Sequence, residues 1–174
     1  MSILKMRNER NTKGLLDLIS SLDDNIIMAE VGCYAGESTE FFMKSKKIKI
    51  LYAIDLWADP LSNYENILST HNFNEVENEF DNKMAVYNIV KMKMPLEEAL
   101  PSLPMLDAIY IDANHDFDFV LADLLHAAKK VKQGGIIAGH DYAKETPGVI
   151  KAVNQVFEKP DIIFSDSSWL IKVK

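Results

Sequence analysis

Short apolar runs alternate with polar-faced segments along most of the chain, and this alternation restricts the folds that the chain can adopt. The runs fall at 25–32, 47–55, 86–92, 107–112 and 135–139. Each is nearly continuous in apolar residues, which is typical of strands that are buried on both faces of a parallel sheet. The segments between them have the length and apolar spacing of helices. The pattern therefore predicts an α/β fold in which helices cover both faces of a mostly parallel sheet.

The two ends of the chain complete the predicted sheet. Residues 1–24 contain apolar residues spaced for one short helix before the first strand. An amphipathic helix over 118–131 is expected to stop at Gly134-Gly135, because glycines are a helix-end signal. The last two apolar runs have no helix between them and predict an antiparallel hairpin over 161–165 and 168–174. We expect a three-layer α/β sandwich with a seven-stranded, mostly parallel sheet whose last strand is antiparallel.

The composition fits a single domain over residues 1–174, with 48% hydrophobic and 26% charged residues. A net charge of −7 argues against binding to phosphate backbones, so no nucleic-acid partner is expected. The only cysteine, Cys33, cannot form an internal disulfide, which fits a reducing cytosol. The chain shows no secretory leader and no apolar run of membrane-spanning length. We therefore expect a cytoplasmic protein without a membrane partner.

A glycine-containing loop follows the first predicted strand in the stretch "AEVGCYAGEST", residues 29–39. Gly32 and Gly36 would allow a sharp turn at the start of a helix, where free backbone N–H groups can bind a ligand. Asp55 ends the next strand and could accept hydrogen bonds from ribose hydroxyls. An ordinary strand-to-helix turn and a capping acid would explain each feature separately. Together they favour a cofactor that carries a nucleoside.

Acids and histidines follow the fourth and fifth predicted strands. Asp112 ends one strand, His115 follows it closely, and His140 and Asp141 come directly after the next strand. Neighbouring parallel strands end at the same edge of a sheet, so these side chains are expected to converge. Two carboxylates and an imidazole suit a divalent cation, and a second imidazole could accept a proton. Helix caps and turn residues are the alternative explanation.

Four motifs in the same order resemble those of class I S-adenosylmethionine-dependent methyltransferases: "EVGCYAGES", "AIDLW", "LDAIYIDANHDFD" and "GGIIAGHDY". The sequence is most similar to small bacterial O-methyltransferases of the macrocin and rhamnosyl type, and more distantly to catechol O-methyltransferase. The resemblance extends over residues 25–157 and implies the Rossmann-like sandwich of that family.

The resemblance also assigns roles to individual residues. It implies a loop that grips the methionine end of S-adenosylmethionine, formed by Glu30, Gly32, Tyr34, Gly36 and Ser38. It places the ribose on Asp55 and the adenine against Leu56 and Trp57. Many relatives have an acid after the third strand as an adenine contact, and in this chain Met94 could pack on the ring instead. The resemblance assigns Asp112 both to the cofactor site and to a Mg²⁺ or Mn²⁺ site completed by His140 and Asp141, and it implies that His115 is the general base.

The function that the resemblance implies is methyl transfer from S-adenosylmethionine to a hydroxyl of a small molecule, such as a sugar or diol. One alternative is a non-catalytic cofactor-binding or scaffold protein. A nicotinamide-dependent oxidoreductase is the other, although the bulky Tyr34 stands in the middle of the glycine motif. Residues 57–72 form a long irregular stretch that could cover the substrate as a lid. The short N-terminal segment leaves apolar surface near the site, which predicts a homodimer.

Overall fold

The computed structural model describes residues 9–58 and 72–174, in which helices and strands alternate as the sequence predicts. The strands are β1 (Ile26–Val31), β2 (Ile48–Asp55), β3 (Ile89–Lys93), β4 (Leu106–Ile111), β5 (Val131–Gly139), β6 (Ile162–Ile163) and β7 (Trp169–Lys172). The helices are α1 (Glu9–Ser20), α2 (Glu37–Lys44), α3 (Phe73–Met84), α4 (Leu96–Ala99), α5 (Phe117–Lys130) and α6 (Pro147–Phe157). The predicted lid, 57–72, lies almost wholly outside the described residues.

The strands of the described residues form one sheet in the order β3-β2-β1-β4-β5-β7-β6. Neighbouring strands from β3 to β5 are parallel, and β7 runs antiparallel to both β5 and β6. This arrangement confirms the predicted seven-stranded, mostly parallel sheet with its last strand antiparallel. The predicted terminal hairpin is the β6–β7 pair.

Side chains on the two faces of the sheet enter two separate hydrophobic cores. Two successive residues of β4 illustrate the division. Tyr110 joins the core under α1, α2 and α3, whereas Ile109 joins the core under α4, α5 and α6. Both side chains are fully buried. The strands are nearly continuous in apolar residues because they are buried on both faces, as the sequence predicts. No helix among the described residues has the length and apolarity needed to cross a membrane.

The end of α5 differs from the prediction. The helix ends at Lys130, and Val131 is already extended and paired with Leu106 as the first residue of β5. Gly134 and Gly135 instead lie inside β5, where its register against β4 shifts. Gly134 has φ of 78°, and a side chain on Gly135 would crowd the carbonyl oxygen of Asp107. The glycine pair is therefore a feature of an irregular strand rather than a helix end.

The strand register brings the predicted site residues to one edge of the sheet. Val31 pairs with Ile54 on one side and with Ile111 on the other, and Ile111 pairs with Gly139. The residues that follow these positions consequently start at the same level. Ligands of open α/β sheets bind at this edge, beyond the carboxyl ends of the strands.

Candidate functional site

The loop after β1 has a left-handed backbone at three positions. Gly32, Tyr34 and Gly36 have φ of 85°, 47° and 76°. A Cβ atom on Gly32 would overlap the carbonyl oxygen of Asp112 at the end of β4. Glycine is therefore needed at this position for close contact between the loop and β4 as well as for the backbone turn.

Asp55 holds the glycine loop as well as occupying the predicted ribose position. Its Oδ2 accepts a hydrogen bond from the backbone N–H of Tyr34 at 2.8 Å, and its Oδ1 accepts one from the N–H of Trp57 at 2.7 Å. Burial raises the pKa of Asp55, and the backbone N–H donors offset only part of that rise. The backbone N–H groups of Cys33 and Leu56 also interact with this carboxylate, so ribose hydroxyls would share its oxygens with the turn that it supports.

Trp57 is placed differently from the prediction that it lines an adenine pocket. Its side chain is only 3% exposed, and its ring packs 4.8 Å from the ring of Phe80, with Lys91 Nζ 4.7 Å from its centroid. The indole Nε1 donates to the carbonyl oxygen of Tyr34 at 2.8 Å. Trp57 therefore anchors the glycine loop from the protein interior. The neighbouring Leu56 is 39% exposed, so its apolar side chain is accessible to a ligand.

Glu30 and Ser38 form a buried polar pair behind the glycine loop. Ser38 Oγ donates to Glu30 Oε1 at 2.5 Å, and Glu30 has no solvent exposure. The pair connects β1 to the first turn of α2. Met94, the predicted adenine contact, is half-buried just after β3 and packs on the core under α4, α5 and α6.

The structure brings the predicted acids and histidines together around Asp141. Its Oδ2 lies 3.0 Å from His115 Nε2 and 3.0 Å from His140 Nδ1. His140 Nδ1 is also 3.9 Å from Asp112 Oδ1. All four side chains are partly exposed, so a ligand at the edge of the sheet can reach them.

The environment of Asp141 favours a charged carboxylate. Burial alone would raise the pKa of Asp141, but hydrogen bonds and charges from His115 and His140 outweigh burial and lower it well below its ordinary value. The backbone of Asp141 is left-handed, with φ of 60°. Its carbonyl oxygen accepts hydrogen bonds from Thr146 Oγ1 at 2.5 Å and from the N–H of Ala143 at 2.8 Å, which support that conformation.

The ligand set for a cation differs in one residue from the set that was predicted. Among the described residues, Asp112, His115 and Asp141 can each offer a ligand atom such that all three atoms lie within 4.8 Å of one another. The prediction placed His140 in the third position, but the geometry groups His115 with the two acids. Carboxylate and imidazole donors that leave further positions open fit Mg²⁺ or Mn²⁺.

A family model described as "Methyltransferase domain" matches residues 29–142, which include the glycine loop, Asp55 and the acid–histidine group. The chain belongs to this methyltransferase family. The match confirms the methyltransferase class predicted from the sequence, and the narrower macrocin and rhamnosyl type stays a prediction.

A viral protein is a relative of this methyltransferase domain. An uncharacterized protein of Acanthamoeba polyphaga mimivirus is 30% identical over 139 residues, which are 76% of this chain and 60% of that protein. The chain thus spans less than two-thirds of the length of that relative.

Solved structures with the same fold include an rRNA methylase from Streptococcus thermophilus, at 14% identity and a TM-score of 0.65, with 98% of this chain and 100% of that chain covered. A proposed O-methyltransferase from Klebsiella pneumoniae has 18% identity and a TM-score of 0.62, with 100% and 84% covered. These similarities confirm the Rossmann-like methyltransferase fold.

Two polar residues of the candidate site were missed by the sequence analysis. Thr146 supports the backbone of Asp141, and Asp166 is a buried acid near His140. Thr146 precedes a helix and Asp166 lies between two strands, so each looks like an ordinary cap or turn residue. No spacing relates either residue to the strand exits, and only the folded chain reveals the contacts.

Proposed function

We propose that this domain transfers a methyl group from S-adenosylmethionine to a hydroxyl group of a small molecule, such as a sugar or another diol. The observation that carries the proposal is the position of Asp112. Its carbonyl oxygen packs against Gly32 of the glycine loop, and its carboxylate belongs to the group with His115 and Asp141. A cofactor in the loop would therefore lie beside groups that can bind an acceptor and remove its proton.

The reaction that fits these groups is a direct displacement at the methyl carbon of the sulfonium. A bond forms between the acceptor oxygen and the methyl carbon, the bond from sulfur to that carbon breaks, and the cofactor leaves as a neutral thioether. Because the sulfonium is a good leaving group, the protein mainly aligns the two reactants and accepts the hydroxyl proton. His115 is the proposed proton acceptor, since its ring lies beside Asp141 within this group.

Asp112 and Asp141 would hold a Mg²⁺ or Mn²⁺ ion in this proposal. A divalent cation at that point would lower the pKa of an acceptor hydroxyl and favour two adjacent oxygens on the acceptor. Carboxylate oxygens from Asp112 and Asp141 lie close together at this point, and they are the donor type that these cations prefer. The similarity to an O-methyltransferase fold adds support for oxygen as the acceptor atom.

Calorimetry and an assay of S-adenosylhomocysteine formation together test the proposal. We expect the protein to bind S-adenosylhomocysteine but not NAD, and to methylate a diol acceptor faster than the same acceptor with one hydroxyl removed. Added chelator should slow the reaction, and Mn²⁺ or Mg²⁺ should restore it. Binding of S-adenosylhomocysteine without turnover on any sugar or catechol would instead indicate a non-catalytic cofactor-binding protein. Binding of NAD alone would contradict the proposal.

A further inference from the structure

A buried acid lies behind His140, on the side opposite Asp141. Asp166 is in the turn between β6 and β7, and its side chain has no solvent exposure. Its Oδ2 is 4.0 Å from His140 Nε2, and its Oδ1 accepts a hydrogen bond from the N–H of Ser168 at 2.9 Å. A buried carboxylate is costly unless charged or polar groups compensate for lost hydration. The imidazole of His140 is placed to give that compensation.

A glycine in α1 makes the space for this acid. A Cβ atom on Gly14 would overlap the carboxylate of Asp166. Glycine in the interior of a helix lowers helix stability relative to alanine. Glycine at position 14 therefore leaves room for the Asp166 carboxylate beside α1, at some cost to the stability of the helix.

The ring of His140 thus lies between two carboxylates. Its Nε2 edge faces Asp166 at 4.0 Å, and its Nδ1 is 3.0 Å from Asp141 Oδ2. The backbone of His140 is held as well, because its carbonyl oxygen accepts a hydrogen bond from Trp169 Nε1 at 3.1 Å. With its backbone held and a carboxylate at each edge of its ring, His140 is placed to fix the direction in which the Asp141 carboxylate points.

We propose that Asp166 and His140 are a positioning pair for Asp141. Asp166 holds the ring of His140 from behind, and His140 in turn orients the Asp141 carboxylate toward Asp112 and His115. This inference rests on the proposed function, in which Asp141 is a cation ligand. It gives His140 an orienting role in place of the ligand role predicted from the sequence. Outer partners of metal ligands typically change metal affinity by about 10–100-fold.

The first test compares Asp166→Asn with a matched control, Asp161→Asn. Both acids lie in the β6–β7 region and accept a backbone N–H, which for Asp161 is that of Lys172 at 2.8 Å. The amide in Asp166→Asn keeps an acceptor for Ser168 but removes the charge that faces His140. We expect Asp166→Asn to lower Mn²⁺ affinity, measured by electron paramagnetic resonance, by about tenfold or more. Asp161→Asn should leave Mn²⁺ affinity unchanged, and both variants should bind S-adenosylhomocysteine like the wild type.

A double variant separates positioning from a merely structural role. If Asp166 acts through His140, adding Asp166→Asn to His140→Gln should lower Mn²⁺ affinity no further than His140→Gln alone. Losses that multiply, or an Asp166→Asn variant that matches the Asp161→Asn control, would overturn the inference. If Asp166→Asn does not fold, Gly14→Ala takes its place. The added methyl group would shift the Asp166 carboxylate away from His140 without removing its charge. A wild-type Mn²⁺ affinity in Gly14→Ala would count against the pair.

A readout without metal distinguishes failure of the pair from failure of the proposed function. In protein labelled with ¹³C in its histidine rings, His140 should give one narrow set of ring signals, which Asp166→Asn broadens or splits and Asp161→Asn does not. An unbroadened signal in Asp166→Asn overturns the positioning pair even if Mn²⁺ binds. A wild type that binds no Mn²⁺ but shows the broadening in Asp166→Asn supports the pair, and it is then the proposed cation that fails.

Discussion

The backbone N–H of Tyr34 donates a hydrogen bond to the Asp55 carboxylate at 2.8 Å, which ties the loop after β1 to the end of β2. The carbonyl oxygen of the same residue accepts a hydrogen bond from Trp57 Nε1 at 2.8 Å. Both polar groups of the Tyr34 backbone are therefore held by residues at the exit of β2. The left-handed φ of 47° at Tyr34 is maintained by these two contacts.

Asp55→Ala should therefore weaken both cofactor binding and the fold. The variant removes the proposed ribose acceptor, and a hydrogen bond to a charged group contributes about 1.5–3 kcal/mol, so affinity for S-adenosylhomocysteine should fall at least about tenfold. It also leaves the N–H groups of Tyr34 and Trp57 without their acceptor, which should lower the free energy of unfolding by about 1–3 kcal/mol. Calorimetry and urea denaturation measure the two effects. Asp118→Ala, at an exposed position on α5, is the control. Unchanged affinity in Asp55→Ala would remove the ribose assignment.

The fold could be predicted because burial leaves a direct mark on the sequence. Strands such as Ile26–Val31 and Leu106–Ile111 are apolar on both faces because helices cover both faces of the sheet. The candidate site followed from the same logic, since residues after parallel strands share one edge. Asp112, His115, His140 and Asp141 do converge there.

The parts that could not be predicted depend on the direction of a side chain or on contacts between distant segments. Trp57 follows the acid at the end of β2 whether its ring faces a ligand or Phe80, and only packing decides between them. Gly134 has a left-handed backbone that suits a helix end and an irregular strand equally well. Asp166 lies close to Gly14 and His140, which are distant from it in the sequence, and no local sequence pattern indicates these contacts.

Cofactor binding and catalysis should be separable at Asp112 and Asp141. Asp112→Asn and Asp141→Asn each remove one carboxylate of the proposed cation site but leave Asp55 and the glycine loop in place. We expect S-adenosylhomocysteine affinity within about twofold of the wild type and Mn²⁺ affinity lowered by about tenfold or more, since each variant removes one negatively charged ligand of the cation. Calorimetry and electron paramagnetic resonance give the two affinities. Equal losses for both ligands would mean that the acids support the cofactor rather than a cation.

His115→Ala should lower the rate of methyl transfer by about 10²–10⁴, which is the usual contribution of a positioned general base. A base role leaves the stimulation by Mg²⁺ or Mn²⁺ intact and the Mn²⁺ affinity unchanged. His126→Ala serves as the control, because His126 lies within α5 rather than at a strand exit. The grouping of His115 with Asp112 and Asp141 makes the Mn²⁺ measurement decisive. A tenfold or larger loss of Mn²⁺ affinity would make His115 a ligand and not the base.

Asp123 in α5 should make the fold less stable as the pH rises toward neutrality. Burial raises the pKa of Asp123 to about 7, so the folded protein keeps a proton that the unfolded chain releases near pH 4. The folded state therefore binds more protons between these values, and stability must fall as the pH rises through that interval. Asp123→Asn should remove this dependence and stabilise the protein at pH 8 by on the order of 1–2 kcal/mol. Thermal unfolding from pH 4 to pH 8, with Asp118→Asn as the control on the same helix, measures the difference. A parallel pH dependence in wild type and Asp123→Asn would contradict it.

A comparison of Gly32→Ala in the glycine loop with Gly134→Ala in β5 separates the cost of backbone strain from the cost of a steric clash. Both glycines have a left-handed φ, 85° for Gly32 and 78° for Gly134, so alanine at either position costs about 1–2 kcal/mol through the backbone alone. A Cβ atom on Gly134 would meet nothing within 4 Å, whereas one on Gly32 would overlap the carbonyl oxygen of Asp112. Gly32→Ala should therefore be clearly the more destabilising variant in urea denaturation. Because the overlap would push the glycine loop away from β4, Gly32→Ala should also lower S-adenosylhomocysteine affinity by about tenfold or more. Gly134→Ala should leave that affinity unchanged. Equal stability and equal affinity in the two variants would mean that the loop does not depend on its contact with Asp112.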